Sequence, residues 1–205
     1  MPPIIDRKGM LLIISGPSGA GKGTLIQMLT KDNPEYCFSC SVTTRAPRPG
    51  EIDGVHYHFI TDEEYADLLR KDAFLEHARV HDHYYGTLRQ PVDEALADGK
   101  IMILDIDCQG ALNVMQNTTD YVSVFILPES FSALENRLKN RGTETTDSLV
   151  IRLANARAEV GKAGKYQYNI INYHGRQDEA VGALKAIVEA EKQRINRYHV
   201  TIQED

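Results

Sequence analysis

A chain of 205 residues with 42% apolar and 25% charged side chains has the composition of one globular domain with a full core. Its net charge of −6 argues against a general nucleic-acid binder, so any anion site must be built locally from placed arginines and backbone amides. No apolar run approaches the ~20 residues needed to span a bilayer, the N-terminal run is too short for a signal peptide, and the three cysteines fit a reducing cytoplasm.

The first strong pattern is Met10 to Ile14, an uninterrupted apolar run that reads as a buried strand of a parallel sheet. Gly16-Pro17-Ser18-Gly19-Ala20-Gly21-Lys22-Gly23-Thr24 follows, then good helix formers through Leu29. Strand, glycine-rich turn and helix are the context of a phosphate-binding loop: glycines let successive N–H groups turn inward, the helix adds its positive end, and Lys22 adds a charge. Gly23 stands where a hydroxyl residue usually follows the lysine, so either Thr24 or water is left to reach Mg²⁺.

Cys37 to Thr44 alternates as a strand does, and the turn Arg45-Ala46-Pro47-Arg48-Pro49-Gly50 then presents two arginines suited to a phosphate. The pair Cys37 and Cys40 lacks a second pair for zinc. Tyr57 to Ile60 reads as a short strand, Thr61 and Glu64 as a capping box opening a helix to about Lys71, and Leu75 to Val80 as another strand. The spacing then predicts a turn over Asp82 to Thr87 and a helix over Gln90 to Asp98.

Ile101 to Asp107 reads as a buried strand running into acid at the end where open α/β sheets bind ligands, with Asp105 and Asp107 on one side. Beside a phosphate loop, Asp105 suits hydrated Mg²⁺. Tyr121 to Leu127 is a further strand, and Phe131 to Arg141 a helix with Arg137 and Arg141 on one face. Asp147 is read as the cap of a second helix with the stripe Leu149, Leu153, Ala156 and Val160, carrying Arg152 beside it. Two helices around Gly142, with those three arginines, have the make-up of a lid over phosphates. Tyr168 to Asn172 is a last strand, and a helix from about Gln177 to Tyr198 closes the chain, buried in part through Ile195. The class is α/β, a parallel sheet flanked by helices, with a mixed α+β insertion at 37–91 and a helical lid at 135–157 set into core segments 1–36, 92–134 and 158–205.

Together with the phosphate loop, Ser41-Val42-Thr43-Thr44-Arg45-x-Pro47-Arg48-x-Gly50-Glu51, Tyr84-Tyr85-Gly86-Thr87, the Ile103-to-Gly110 stretch and Arg141-Gly142-Thr143-Glu144 resemble the guanylate kinase family over nearly the whole chain. The resemblance implies transfer of the γ-phosphoryl group of ATP to GMP. It implies that Ser41, Arg45, Arg48, Tyr57 and Tyr85 hold the GMP phosphate and that Glu76, Thr87 and Asp107 read guanine. It further implies that Lys22 and the loop grip ATP, that Asp105 holds Mg²⁺ through water, and that Asn172 approaches adenine. Arg137, Arg141 and Arg152 would close over the transferring group. Acceptor carboxylates match the all-donor N1–H and N2–H₂ edge of guanine but not adenine.

Two rivals remain. An adenylate-type kinase shares the Gly-Lys-Gly-Thr loop but has no use for Glu76 with Asp107. Guanylate-kinase-like binding modules share Arg45, Arg48 and Tyr57 but typically lack a working phosphate loop. No nucleic acid, membrane or obligatory protein partner is expected.

Overall fold

The computed structural model describes residues 5–80, 82–139, 146–194 and 197–200. Strand β1 (Ile5–Arg7) leads into β2 (Met10–Ser15), and the loop after it opens helix α1 (Lys22–Thr30). β3 (Tyr36–Phe38), β4 (Val42–Thr43) and β5 (His58–Phe59) precede α2 (Asp62–Arg70), β6 (Phe74–Val80), β7 (His83–Leu88) and α3 (Arg89–Ala97). Then come β8 (Ile101–Asp105), α4 (Cys108–Asn117), β9 (Val122–Pro128), α5 (Phe131–Lys139), α6 (Thr146–Val160), β10 (Tyr168–Asn172), α7 (Gln177–Lys192) and β11 (Tyr198–Val200).

The main sheet runs β10-β9-β2-β8-β3 with every pairing parallel. Period two sorts the side chains of β2 into two cores. Met10, Leu12 and Ile14 meet Leu25 and Leu29 of α1 and Leu184 and Val188 of α7. Leu11 and Ile13 meet Val92 of α3, Ala111 and Val114 of α4, and Phe125. Helices cover both faces, which is why the run is apolar without alternation; each such side chain contributes about 1.5–3 kcal/mol by leaving water. In register, Ile14 lies opposite Asp105, so the acid at the end of β8 stands beside the strand that feeds the glycine loop.

The second sheet, β5-β4-β7-β6, is mixed: β4 and β5 are parallel, while β7 is antiparallel to both β4 and β6. Helix α2 covers it by stacking Tyr65 against Phe74 and Tyr84, with ring centroids 4.9 and 4.8 Å apart. Its capping box is formed: Glu64 N–H donates to Thr61 Oγ1 at 3.2 Å and Thr61 N–H to Glu64 Oε2 at 2.8 Å. Helix α4 packs against β6 and so joins the two sheets.

Several expectations need correction. The expected turn over Asp82 to Thr87 instead falls almost wholly within β7, whose residues pair with strands on both sides. Strand β8 ends at Asp105, and Asp107 is instead the N-cap of α4, a helix the sequence reading missed. Helix α6 begins at Thr146, one residue before the expected cap Asp147. Helix α7 stops at Lys192, short of the expected Tyr198, and β11 pairs antiparallel with β1. Gly142 and Ile195 lie outside the described residues, as does Arg141.

Candidate active site

The glycine loop is shaped by three positive φ angles, at Gly16, Gly19 and Gly21. Gly21 is the N-cap of α1 in the left-handed conformation, at φ 90°, with no side-chain cap on the first turn. A Cβ there would stand 2.5 Å from Asn172 Nδ2, so both backbone angle and space require glycine. Uncapped N–H groups at a helix start are a ready anion site. The cleft beside them, about 420 Å³, is lined by Ser18, Gly21, Lys22, Gly23, Thr24 and Asp105 among others. Lys22 Nζ donates to Gly16 O at 2.9 Å across the loop.

Two side chains brace this loop from below. Asn172, expected beside a base, is 2% exposed, and its Nδ2 donates to Ala20 O at 2.8 Å. Arg137, expected in the lid, donates from Nη2 to Asn172 O at 2.9 Å and from Nη1 to Ala20 O at 3.3 Å. From α6, Arg152 Nη2 donates to Ser18 Oγ at 2.7 Å. On the same helix burial raises the half-buried Glu159 acid, and the Lys22 charge draws it back.

A second cleft of about 450 Å³ adjoins the first through Ser18 and Asp105, which line both. It gathers Ser41 and Arg48 with Tyr57 and Tyr85, and also Glu76, Asp107 and Gly110. Glu76 lies opposite Thr87 across the β6–β7 pair, and Thr87 Oγ1 donates to Glu76 Oε1 at 2.7 Å. Both are buried. Burial pushes the Glu76 acid above its ordinary value, against the Thr87 hydroxyl, and the nearby Asp107 adds to the rise. Asp107 is held by its own helix: Oδ1 accepts from Gln109 N–H and Gly110 N–H, each at 2.8 Å. Gly110 clears the space, since a Cβ on it would stand 2.9 Å from Glu76 Oε2.

Asp105 opens onto both clefts, yet protein walls them and displaces bulk water. That desolvation raises its acid, and Lys22 pulls it back. Asp105 and the Thr24 hydroxyl face the loop cleft together. Among the described residues no group of three or more His, Cys, Asp or Glu side chains gathers as a metal cage.

Arg45 is engaged by Glu51, a residue of the same motif to which the sequence reading gave no role. Nη2 donates to Glu51 Oε1 and Oε2 at 2.9 and 3.0 Å, and Nη1 to Ala46 O at 2.6 Å. The guanidinium lies over the Tyr57 ring at 5.6 Å. Arg48 N–H holds Glu51 below the usual carboxylate range, helped by Arg45 against partial desolvation. Glu51 and Gly110 stand in the stretches that carry the resemblance, but sequence reasoning gave neither a role. The signal for Glu51 is the turn with two prolines between it and Arg45.

A family model described as guanylate kinase matches residues 8–191. A guanylate kinase of Clostridium perfringens is 46% identical over 192 residues, spanning 94% of this chain and 88% of that protein. One from Carboxydothermus hydrogenoformans is 46% identical and spans 95% of each. The crystal structure of guanylate kinase from Anaplasma phagocytophilum superposes with a TM-score of 0.76 at 29% identity, covering 96% of this chain and 93% of that one.

Proposed function

The chain belongs to the guanylate kinase family, and from that premise we propose that it transfers the γ-phosphoryl group of ATP to GMP, giving ADP and GDP. The observation that carries the reading is one cleft combining Arg48, Ser41 and two tyrosines with two carboxylates, joined through Ser18 and Asp105 to the glycine loop. ATP would lie with its phosphates on the loop amides from Gly16 to Thr24 and Lys22. The GMP phosphate would be held by Ser41, Arg48, Tyr57 and Tyr85 with Arg45, whose three hydrogen bonds to Glu51 and Ala46 leave part of its five-donor fork for a phosphate. Glu76 and Asp107 would accept from the guanine edge, with Thr87 orienting Glu76. The deoxy form dGMP shares these groups and is expected to react as well.

The chemistry then needs no general base. The attacking oxygen belongs to GMP's own ionised phosphate; it bonds to the γ-phosphorus as the bond to the β–γ bridging oxygen breaks in line. What remains is positioning and neutralisation of charge by Lys22, Arg45 and the lid arginines Arg137, Arg141 and Arg152. Asp105 and Thr24 fit a hydrated Mg²⁺ that relies on phosphate oxygens, because such an ion keeps several waters and takes one or two protein groups. When bound, Mg²⁺ would neutralise the phosphate charge. Asn172 and Arg137 would act on the donor side by holding the loop. We assign 37–91 to the acceptor unit, beginning in effect after β3, whose residues pair with β8 in the main sheet, and 135–157 to the lid. Free cysteines at 37, 40 and 108 fit a cytoplasmic setting.

The deciding experiment is ADP formation by purified protein with Mg-ATP and GMP, AMP, CMP or UMP in separate wells. Turnover with GMP alone is expected. Turnover with AMP instead would make this an adenylate-type enzyme, and GMP binding without turnover would make it a binding module.

Gly110→Ala tests the carboxylate pocket at constant fold. The new methyl displaces the far end of Glu76, while alanine favours the helix over glycine by about 1 kcal/mol. We expect unchanged or higher thermal stability together with a KM for GMP raised about tenfold, the size of one good hydrogen bond misaligned. An unchanged KM would remove Glu76 from base recognition.

A further inference from the structure

The loop that carries Arg45 and Arg48 is closed by the residue at its far end. Arg48-Pro49-Gly50-Glu51 has the make-up of a type II turn: proline at the second position, Gly50 at φ 86° in the third, and Glu51 N–H donating to Arg48 O at 3.0 Å. A Cβ on Gly50 would meet nothing within 4 Å, so the backbone angle alone asks for glycine there. The side chain returns the bond. Arg48 N–H donates to Glu51 Oε2 at 2.7 Å, so residues 48 and 51 hold each other in both directions. The same carboxylate takes Arg45 Nη2 on both oxygens, at 2.9 and 3.0 Å. The Arg45 guanidinium also lies over the rings of Tyr57 and Phe59, 5.6 and 5.8 Å from their centroids, and Arg45 N–H donates to Thr43 Oγ1 at 3.2 Å. One side chain thus ties the backbone of one arginine to the guanidinium of the other. Arg48, Tyr57 and Tyr85 line the acceptor cleft, and Glu51 is not among its described lining.

We propose that Glu51 is a positioning residue for the acceptor phosphate: it touches no substrate, and by holding the Arg45 guanidinium and the Arg48 backbone at once it fixes where the two arginines present their remaining donors. This rests on the reading of the chain as a guanylate kinase. An anion beside a phosphate site would by itself weaken binding, so its presence calls for a compensating gain. Two guanidiniums three residues apart repel each other, and on a loose loop both would lose side-chain freedom on meeting a phosphate. Glu51 reduces both costs before the ligand arrives, by neutralising one charge and ordering the pair. Charge-assisted bonds of this kind are about twice as strong as neutral ones, so the clamp holds in the empty site. The oxygen that attacks the γ-phosphorus belongs to the GMP phosphate, and the aim of the arginines therefore sets the aim of the nucleophile.

The test measures GMP and guanosine binding to the parent, Glu51→Ala and Glu51→Gln by calorimetry, because the difference between the two ligands isolates the phosphate. Glu51→Ala should weaken GMP about tenfold and leave guanosine within about twofold of the parent. Its kcat/KM for GMP should fall about 10²-fold, the effect of an ångström of misplacement, while KM for ATP stays near the parent value. Glu51→Gln, whose amide oxygen can still accept from Arg48 N–H, should lie between the parent and alanine. In ¹⁵N-labelled protein without nucleotide, the Arg48 amide should exchange about tenfold faster in Glu51→Ala than in the parent. Unchanged or tighter GMP binding in Glu51→Ala would show that the carboxylate only repels the ligand, and would overturn the proposal. So would an unchanged Arg48 amide, or equal weakening of GMP and guanosine, the mark of general damage to the acceptor unit. Failure of the parent to phosphorylate GMP would instead strike the reading it rests on, and the amide measurement would still report on the Glu51 clamp.

Discussion

Lys22→Ala is expected to lower turnover with ATP and GMP by about 10³-fold, with kcat/KM for ATP falling further still. Lys22 is the first residue of α1, beside the uncapped helix start, and its ammonium is the full positive charge at the loop cleft. In-line transfer moves negative charge onto the β–γ bridging oxygen, and a fixed cation there is worth more in the transition state than in the ground state. The same substitution removes the cation that draws Asp105 and Glu159 down from their burial-raised values, so both acids rise further and ATP loses an electrostatic partner. Folding should tolerate the change: alanine is a good helix former, and the lost Lys22–Gly16 hydrogen bond costs about 1 kcal/mol. The acceptor cleft is not lined by Lys22, so the dissociation constant for GMP should stay within about twofold of the parent. Isothermal calorimetry with GMP alone, set beside steady-state rates, checks both halves. A large loss of GMP affinity would mean the donor and acceptor sites have been assigned wrongly.

The parts of this architecture legible in the sequence are those whose signal is local. The run from Met10 is apolar at every position because both of its faces are covered, and the loop glycines are required at Gly21 by a left-handed φ and by the approach of Asn172. The box at Thr61 is a contract between residues three apart, and it formed as read. Long-range packing hid the rest. Helix α4 starts on an aspartate that period-two reasoning had assigned to a strand, and its first turn carries Gln109 and Gly110, neither of which announces a helix. Strand β7 contains Gly86 and follows a polar turn; only its pairing with both β4 and β6 makes it a strand. Arg45 and Arg48 looked like two equivalent phosphate ligands, but a turn bent by two prolines folds Glu51 onto one of them. The resemblance implies that Asn172 approaches adenine, and in the structure its side chain holds Ala20 O from beneath the loop. Its burial beneath the loop follows from β10 being an edge strand whose end tucks under Ala20. The resemblance supplied roles; the packing supplied the means by which these side chains are held.

Glu76→Gln should have two effects of opposite sign. Guanine presents donors at N1 and N2, and Glu76 with Asp107 presents acceptors. A glutamine keeps one oxygen but turns a donor toward a donor, so kcat/KM for GMP should fall about 10²-fold and the preference over AMP should shrink. Without nucleotide, however, the variant should be more stable than the parent at neutral and alkaline pH. The Glu76 acid is raised in the folded protein by burial, with Asp107 adding to it, so the folded state holds its proton at pH values where the unfolded chain has released it. Stability therefore falls as pH rises through the raised value, and the amide, which never ionises, escapes that loss while its oxygen can still accept from Thr87. The gain in Tm should close as pH drops below the ordinary glutamate range, where both chains are neutral at this position. GMP affinity of the parent should also weaken as Glu76 takes up its proton. Because the phosphate of GMP titrates in both proteins, the difference between parent and variant across the pH series isolates the carboxylate. A variant less stable than the parent at pH 8 would show that ionised Glu76 is compensated in the free protein. The expected opposite result would mean that the burial of an acid with no cation partner among the described residues is retained for the substrate, whose two donor groups are what its charge is held in readiness to meet.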